Sequence, residues 1–261
     1  MTMRVTPIEC LSDNYAYLLT CDESGDSVVI DPSESAPVLT AIERNKARVV
    51  AIWNTHHHFD HVGGNEEVLA KTGAKEIVAH ASDKGRVPGQ TRFVEEGDEL
   101  SVGKIRVSVL HIPGHTTGAI AYVATAPGGG PGAVFTGDML FLAGCGRIFE
   151  GTPAMMHASL SKVAALAPET LVYCGHEYTA SNLKFAAHVE PDNAQVLARA
   201  ERVAAARASK DPTVPGNIRD ELATNPFLRV GSKTIRQTLG IPADASDADA
   251  LGAIRKAKDS F

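Results

Sequence analysis

The ten residues THHHFDHVGG, Thr55–Gly64, hold four of the chain's ten histidines together with an aspartate. His56, His58, Asp60 and His61 form the pattern H-x-H-x-D-H. In extended chain, residues two apart share a face. His56 and His58 can therefore converge on one ion while His57 points away. Asp60 and His61 fall past a turn and can reach a second ion. Gly63 and Gly64 are expected to let the backbone bend tightly there. The apolar run VVAIW before the motif reads as a strand, so the motif is a strand-end loop, a common place for active residues held by a rigid scaffold. Any one of these residues alone could be an ordinary core or surface residue. The run as a whole is internal and interrupted by aspartate, which excludes a purification tag and points to metal.

Two ions need further ligands. The runs SVVIDP (27–32), RVVAIWNTH (48–56), KIRVSVLHIPGH (104–115), AIAYVA (119–124), AVFTGD (133–138) and TLVYCGH (170–176) are apolar and β-branched, bounded by turn residues. His115, Asp138 and His176 each stand beside a glycine where such a strand runs out. Seven ligands then divide naturally. His56, His58 and His115 take one ion, Asp60, His61 and His176 the other, and Asp138 bridges. A shared water completes the site, the open position of a catalytic centre. Imidazole with carboxylate suits two divalent ions, zinc, iron or manganese alike. His80, His111, His157 and His188 lie outside this pattern and receive no role. Cys10, Cys21, Cys145 and Cys174 form no CxxC pair and read as small buried apolar residues.

Asn65 is expected to cap a helix through EEVLAKTG that stops at Gly73. Residues 154–167 have helical periodicity, and PGGGPG (127–132) reads as a loop tip. After about residue 176 strand-like runs vanish and helix-favouring segments take over, such as NAQVLARAERVAAARASK. The expected division is a catalytic domain, 1–176, and a helical substrate-binding domain, 177–261. Net charge is −6 over 261 residues, which disfavours nucleic acid as a partner. No apolar run reaches the roughly 18 residues of a membrane span, and the N-terminus lacks a charged n-region followed by an apolar h-region. A cytoplasmic protein with reduced thiols, no membrane association and no obligate protein partner is expected.

With its H-x-H-x-D-H signature the chain resembles the metallo-β-lactamase superfamily. Within it, LSDNYAYLL (11–19), GDMLFLAGCGRIFEG (137–151), VYCGHEYTASNLKFAAHVEP (172–191), PTVPGNIRDELATNPFLR (212–229) and RKAKDSF (255–261) resemble stretches of glyoxalase II, the hydroxyacylglutathione hydrolases. The resemblance implies an α/β (α+β) class αββα sandwich with its dinuclear site at one edge of the sheets, and a small C-terminal all-helical domain that helps bind glutathione. It implies the same seven ligands. The implied reaction is hydrolysis of the thioester S-D-lactoylglutathione, and of related S-2-hydroxyacylglutathiones, to D-lactate and glutathione, the second step of methylglyoxal detoxification by the glyoxalase route. The nucleophile would be hydroxide held between the ions, aimed by Asp60, with Asp138 fixing the metal spacing. The implied substrate contacts are Arg147, Phe149, Tyr178, Arg255 and Lys258. Arg147 stands where the family has lysine and keeps the charge, although the two are not equivalent donors. Phe149 stands where the family has tyrosine and lacks its hydroxyl. Rival readings are a persulfide dioxygenase of the same fold, using one iron, and a non-catalytic metal-binding protein.

Overall fold

Every residue of strand β2 (Asn14–Cys21, NYAYLLTC) is buried, as happens when both faces of a strand are covered. The computed structural model describes residues 3–126 and 128–261, so Pro127 of the expected loop tip lies outside the described residues. Contacts divide the chain into two units, Met1–His111 with Gly118–Gly137, and Ile112–Thr117 with Asp138–Phe261.

In the first unit β2 belongs to a six-stranded sheet in the order β1-β2-β3-β4-β5-β6, the others being β1 (Met3–Cys10), β3 (Asp26–Ile30), β4 (Arg48–Trp53), β5 (Ile77–His80) and β6 (Arg92–Val94). The first three strands pair antiparallel, and β3 to β6 run parallel. Helices α1 (Ser35–Asn45) and α3 (Asn65–Thr72) supply the crossovers between β3 and β4 and between β4 and β5. They bury Val38 and Val68 against Leu18, Val29, Ile52 and Ile77. Full burial of such a side chain contributes roughly 1.5–3 kcal/mol. A short helix α2 (Phe59–Val62) precedes α3, which ends at Gly73 in the left-handed conformation, φ 73°.

The opposite face of this sheet meets a meander of antiparallel strands, β7 (Glu99–Val102), β8 (Ile105–His111), β9 (Ile120–Thr125) and β10 (Ala133–Gly137). Aromatic pairs join the two layers. Tyr17 packs on Phe135 at 5.5 Å between ring centroids, and Trp53 stacks on Tyr122 at 5.0 Å. The buried Tyr122 hydroxyl donates to the Asn54 carbonyl at 3.0 Å. Helix, sheet and sheet are thus stacked within one unit.

The second unit holds the hairpin β11 (Leu140–Phe141) and β12 (Gly144–Cys145), α4 (Pro153–Ala164), and β13 (Leu171–Cys174) paired with β14 (Gly216–Asn217). Its other elements are helices α5 (Thr179–Val189), α6 (Ala194–Ala208), α7 (Ile218–Thr224), α8 (Lys233–Thr238) and α9 (Asp247–Asp259). Side-chain oxygens of Thr152, Asn193 and Ser246 cap α4, α6 and α9 by accepting from first-turn amides.

A buried polar network fastens α6 and α7 to the hairpin. Glu221, fully buried, accepts from Arg199 at 2.5 Å, from the Ala143 amide at 2.7 Å and from Asn225 at 2.9 Å. Asn225 in turn donates to the Gly144 carbonyl at 3.0 Å. Removing one member strands the others without partners, which typically costs about 3–5 kcal/mol for a buried ion pair. Glu221→Ala is therefore expected to lower the urea midpoint strongly, and Glu221→Gln less. Equal midpoints for wild type and Glu221→Ala would show that the pair contributes nothing.

Candidate metal centre

Asn54 to His58 run on from the end of β4 and lead into α2. His56 and His61 are buried at 1% and 0% exposure. Their ring centroids lie 4.2 Å apart, and those of His56 and His58 4.7 Å. Ligand atoms of His56 and His58, of His56 and His61, and of Asp60 and His61 come within 4.8 Å of each other. His57 departs from the cluster as expected. Its Nδ1 lies 3.2 Å from Asp83, and its Nε2 lies 2.5 Å from Arg86 Nη2.

One residue that the sequence pattern did not single out organises this cluster. Asp31 ends the run SVVID, buried to 2% exposure and with φ 49°. Its Oδ1 accepts from the Thr55 amide at 2.8 Å, and its Oδ2 from the Thr55 hydroxyl at 2.6 Å and from His61 Nδ1 at 3.0 Å. The Thr55 oxygen lies 3.1 Å from His56 Nδ1. With Nδ1 protonated on both rings, Nε2 carries the lone pair a metal needs. Asn14 was also passed over. Its amide donates to the carbonyl and to Oδ2 of Asp60, both at 3.0 Å.

Two local expectations change. Asn65 does not cap α3, because the N-cap position belongs to Gly64. The buried Asn65 side chain instead exchanges hydrogen bonds with Asn54 at 2.8 and 3.2 Å, and Asn54 donates to the His61 carbonyl at 3.0 Å. Gly63 and Gly64 have ordinary helical angles and make no unusual bend. Glycine is required by close approach: a Cβ on Gly64 would lie 2.8 Å from the Pro32 carbonyl, and one on Gly63 2.7 Å from that of Ser33.

The second unit carries the other three expected ligands, all buried. Asp138 Oδ2 lies 3.6 Å from His115 Nε2 and 3.3 Å from His176 Nε2. His115 Nδ1 donates to the Arg147 carbonyl at 2.8 Å, which again leaves Nε2 as the metal-ready nitrogen. Gly146 sits so close that a Cβ would fall 2.0 Å from the Asp138 carbonyl oxygen. Burial pushes the thiols of Cys145 and Cys174 up to about 12, so both stay protonated at neutral pH.

The expected substrate residues also lie in this unit. Tyr178 stacks on His176, 4.7 Å between centroids, and Phe149, 62% exposed, lies 5.2 Å from the His115 ring. Arg255 is buried to 8% exposure. It donates to the Cys145 carbonyl at 2.7 Å and to Asp259 at 3.1 Å, over the Phe227 ring. Arg147 reaches the same Asp259 oxygen at 3.5 Å. Lys258 Nζ lies over the rings of Phe185 and Phe261, 5.5 Å from each centroid. Burial, helped by the Arg255 charge, lowers its pKa below the usual lysine value.

The donors fit divalent metal. They are imidazole Nε2 atoms and carboxylates, largely withdrawn from water, with the distal nitrogens of His56, His61 and His115 held by hydrogen bonds. Among the described residues no helix is long and apolar enough to cross a membrane.

Comparison with known proteins defines the class first. The sequence model of the Metallo-beta-lactamase superfamily matches residues 12–176, and that of the Hydroxyacylglutathione hydrolase C-terminus matches 177–261. The solved structure of ETHE1 from Myxococcus xanthus shares the fold, with a TM-score of 0.66 over 98% of this chain and 97% of that one at 24% identity. A protein crystallised in a di-iron-bound form aligns with a TM-score of 0.60 over 86% of this chain and 100% of that one at 26% identity. Among relatives, a Maricaulis maris protein named hydroxyacylglutathione hydrolase is 46% identical, covering 97% of this chain and 96% of that protein. One of the same name from Rhodospirillum rubrum is 45% identical, covering 100% and 99%. The chain belongs to the hydroxyacylglutathione hydrolase family of the metallo-β-lactamase superfamily.

Partners of ligating histidines typically contribute 10–100-fold to metal affinity. Asp31→Ala is accordingly expected to weaken metal retention about 10–100-fold. Metal content after dialysis against graded chelator measures this. Retention equal to wild type would show that Asp31 does not organise the cluster.

Proposed function

We propose that this protein hydrolyses S-D-lactoylglutathione and related S-2-hydroxyacylglutathiones to the 2-hydroxy acid and glutathione. The observation that carries the reading is a complete set of seven histidine and aspartate donors on a chain 46% identical, nearly end to end, to a relative named for this activity. We assign His56, His58 and His115 to one divalent ion, Asp60, His61 and His176 to another, and Asp138 to both. Zinc is the first candidate and iron the second, since a structural neighbour was crystallised di-iron-bound, with manganese also suited. Bound there, two such ions would supply an activated water at neutral pH and a Lewis acid for the thioester carbonyl.

The chain's own residues do the rest. Asp60, steadied by Asn14, accepts a hydrogen bond from the attacking water and aims it. Asp138 fixes the separation between the two donor sets. The departing group is a thiolate, whose conjugate acid has a pKa near 8.5 in a model cysteine, so it leaves without a dedicated acid. Arg147, Arg255 and Lys258 provide the cations that glutathione's two carboxylates need in a chain of net charge −6. Tyr178 offers a hydroxyl and Phe149 an apolar contact. In this reading residues 1–176 carry the chemistry and 177–261 grip the glutathione, a division supported by the extents of the two family matches. The four cysteines, buried and outside any disulfide, favour the reducing cytoplasm.

Metal analysis together with thioester hydrolysis of S-D-lactoylglutathione tests the reading. Two metals per chain with turnover are expected. Oxygen consumption on glutathione persulfide with one iron would indicate a dioxygenase instead, and metal without turnover a binding protein. Asp138→Ala should lose metal and most turnover, whereas normal metal content and kcat in that variant would remove its bridging role. For the substrate cations Lys258→Ala is the cleaner probe, because Arg255 is also tied into the fold through Cys145. A hydrogen bond to a charged group contributes roughly 1.5–3 kcal/mol. Lys258→Ala should therefore raise KM about ten- to a hundredfold with kcat nearly unchanged, and leave a small thioester lacking the glutathione carboxylates unaffected. Equal losses on both substrates would mean that Lys258 is not a glutathione contact.

A further inference from the structure

Within the first unit, residues of β4, β6, β7 and β8 and of the turn before β5 line a cleft of about 700 Å³. Small-molecule sites commonly enclose roughly 300–1,000 Å³. The cleft includes none of the seven donors and none of the proposed substrate contacts.

Its charge is unusual for an acidic chain. Lys75, Arg92 and Arg106 line it against Glu76 and Glu99, a net positive charge in a protein of net charge −6. Arg92 is satisfied internally, its Nη1 3.2 Å from Glu76. Lys75 and Arg106 have no ion pair among the described residues. They lie on different elements, Lys75 before β5 and Arg106 in β8, so their place on one cleft is a product of the two-sheet packing. The cleft also has an apolar wall, from Val50, Leu100 and Trp53. Trp53 is 2% exposed, and its indole Nε1–H has no hydrogen-bond partner among the described residues. An unpaired buried donor is rare in folded proteins and calls for an explanation.

We propose that this cleft is a second binding site, for a small organic anion. A carboxylate or phosphate head would sit with Lys75 and Arg106, whose ammonium and guanidinium make the stronger, charge-assisted class of hydrogen bond. The apolar body would lie against Leu100 and the indole. The inference shares no residue with the thioesterase reading and stands or falls without it.

Trp53 is the sole tryptophan of the chain. Its fluorescence and its single indole N–H resonance therefore report on this cleft without interference from a second tryptophan. The test is titration of the full-length protein with phenyl phosphate, benzoate and inorganic phosphate, followed by both signals. A saturable change with one of the organic anions is expected, weakened at least about tenfold in a Lys75→Ala/Arg106→Ala double variant. Both side chains are exposed, so that variant should keep the wild-type circular dichroism and thermal midpoint. Lys75→Glu provides a second variant with the same expected loss. Tighter binding of phenyl phosphate assigns a phosphate ligand, and tighter binding of benzoate a carboxylate. The proposal is overturned if neither organic probe saturates, or if binding survives the double substitution. It is also overturned if inorganic phosphate binds as tightly as the organic probes, the mark of an adventitious ion only.

Discussion

The geometry of the histidine cluster in the first unit depends on one buried carboxylate. Asp31 closes β3, and Thr55 and His61 follow β4, its parallel neighbour, in which Ile30 pairs with Trp53. A carboxylate withdrawn from water is costly unless donors surround it. Asp31 has three, and all of them belong to the segment that carries the histidines, two from Thr55 and one from His61. The same bonds that make its burial tolerable therefore fix the rotation and tautomer of His61 and, through Thr55, of His56. The site lies beyond the carboxyl ends of parallel strands, where open α/β sheets commonly bind their ligands.

The second unit solves the same problem with different chemistry. Its proposed ligands stand on short connections beside the hairpin of β11 and β12, which have little regular structure to stiffen them. Stiffness comes from side chains that reach the hairpin backbone. Glu221 takes the Ala143 amide, Asn225 donates to the Gly144 carbonyl, Asn182 to that of Leu142 at 3.1 Å, and Arg255 to that of Cys145. The helices of this unit are thus a frame for the segment after Asp138 as well as the source of the proposed glutathione cations. Arg255 belongs to both roles, since its guanidinium is anchored by the hairpin and by Asp259, the carboxylate it shares with Arg147.

Much of this was legible in the sequence because strand ends announce themselves locally. Apolar β-branched runs stop at a glycine or a polar residue, and the metal-binding residue types at those stops stood out: His115, Asp138, His176 and the H-x-H-x-D-H motif. The runs around residues 27–32, 48–56, 104–115, 119–124, 133–138 and 170–176 all contain strands in the structure. The family stretches extended the reading to substrate, and the matched relatives agree with it over nearly the whole chain.

What the sequence by itself determined was the inventory: which residue types end which strands, hence the proposed donor set, the family and the helical character of the tail. Only the tertiary structure decided which otherwise unremarkable residues hold those donors. Asp31 and Asn14 reach residues 24 and 46 positions away along the chain, and no local pattern encodes such a partner. The same holds for Asn65, which reads as a helix cap by propensity but is drawn inward to satisfy Asn54. It holds for Gly63 and Gly64, whose need for a hydrogen in place of a side chain arises from the Pro32 and Ser33 carbonyls packed against them. Periodicity reports how one segment meets its surroundings, whereas a buried polar group is satisfied by whichever segment the fold brings to it.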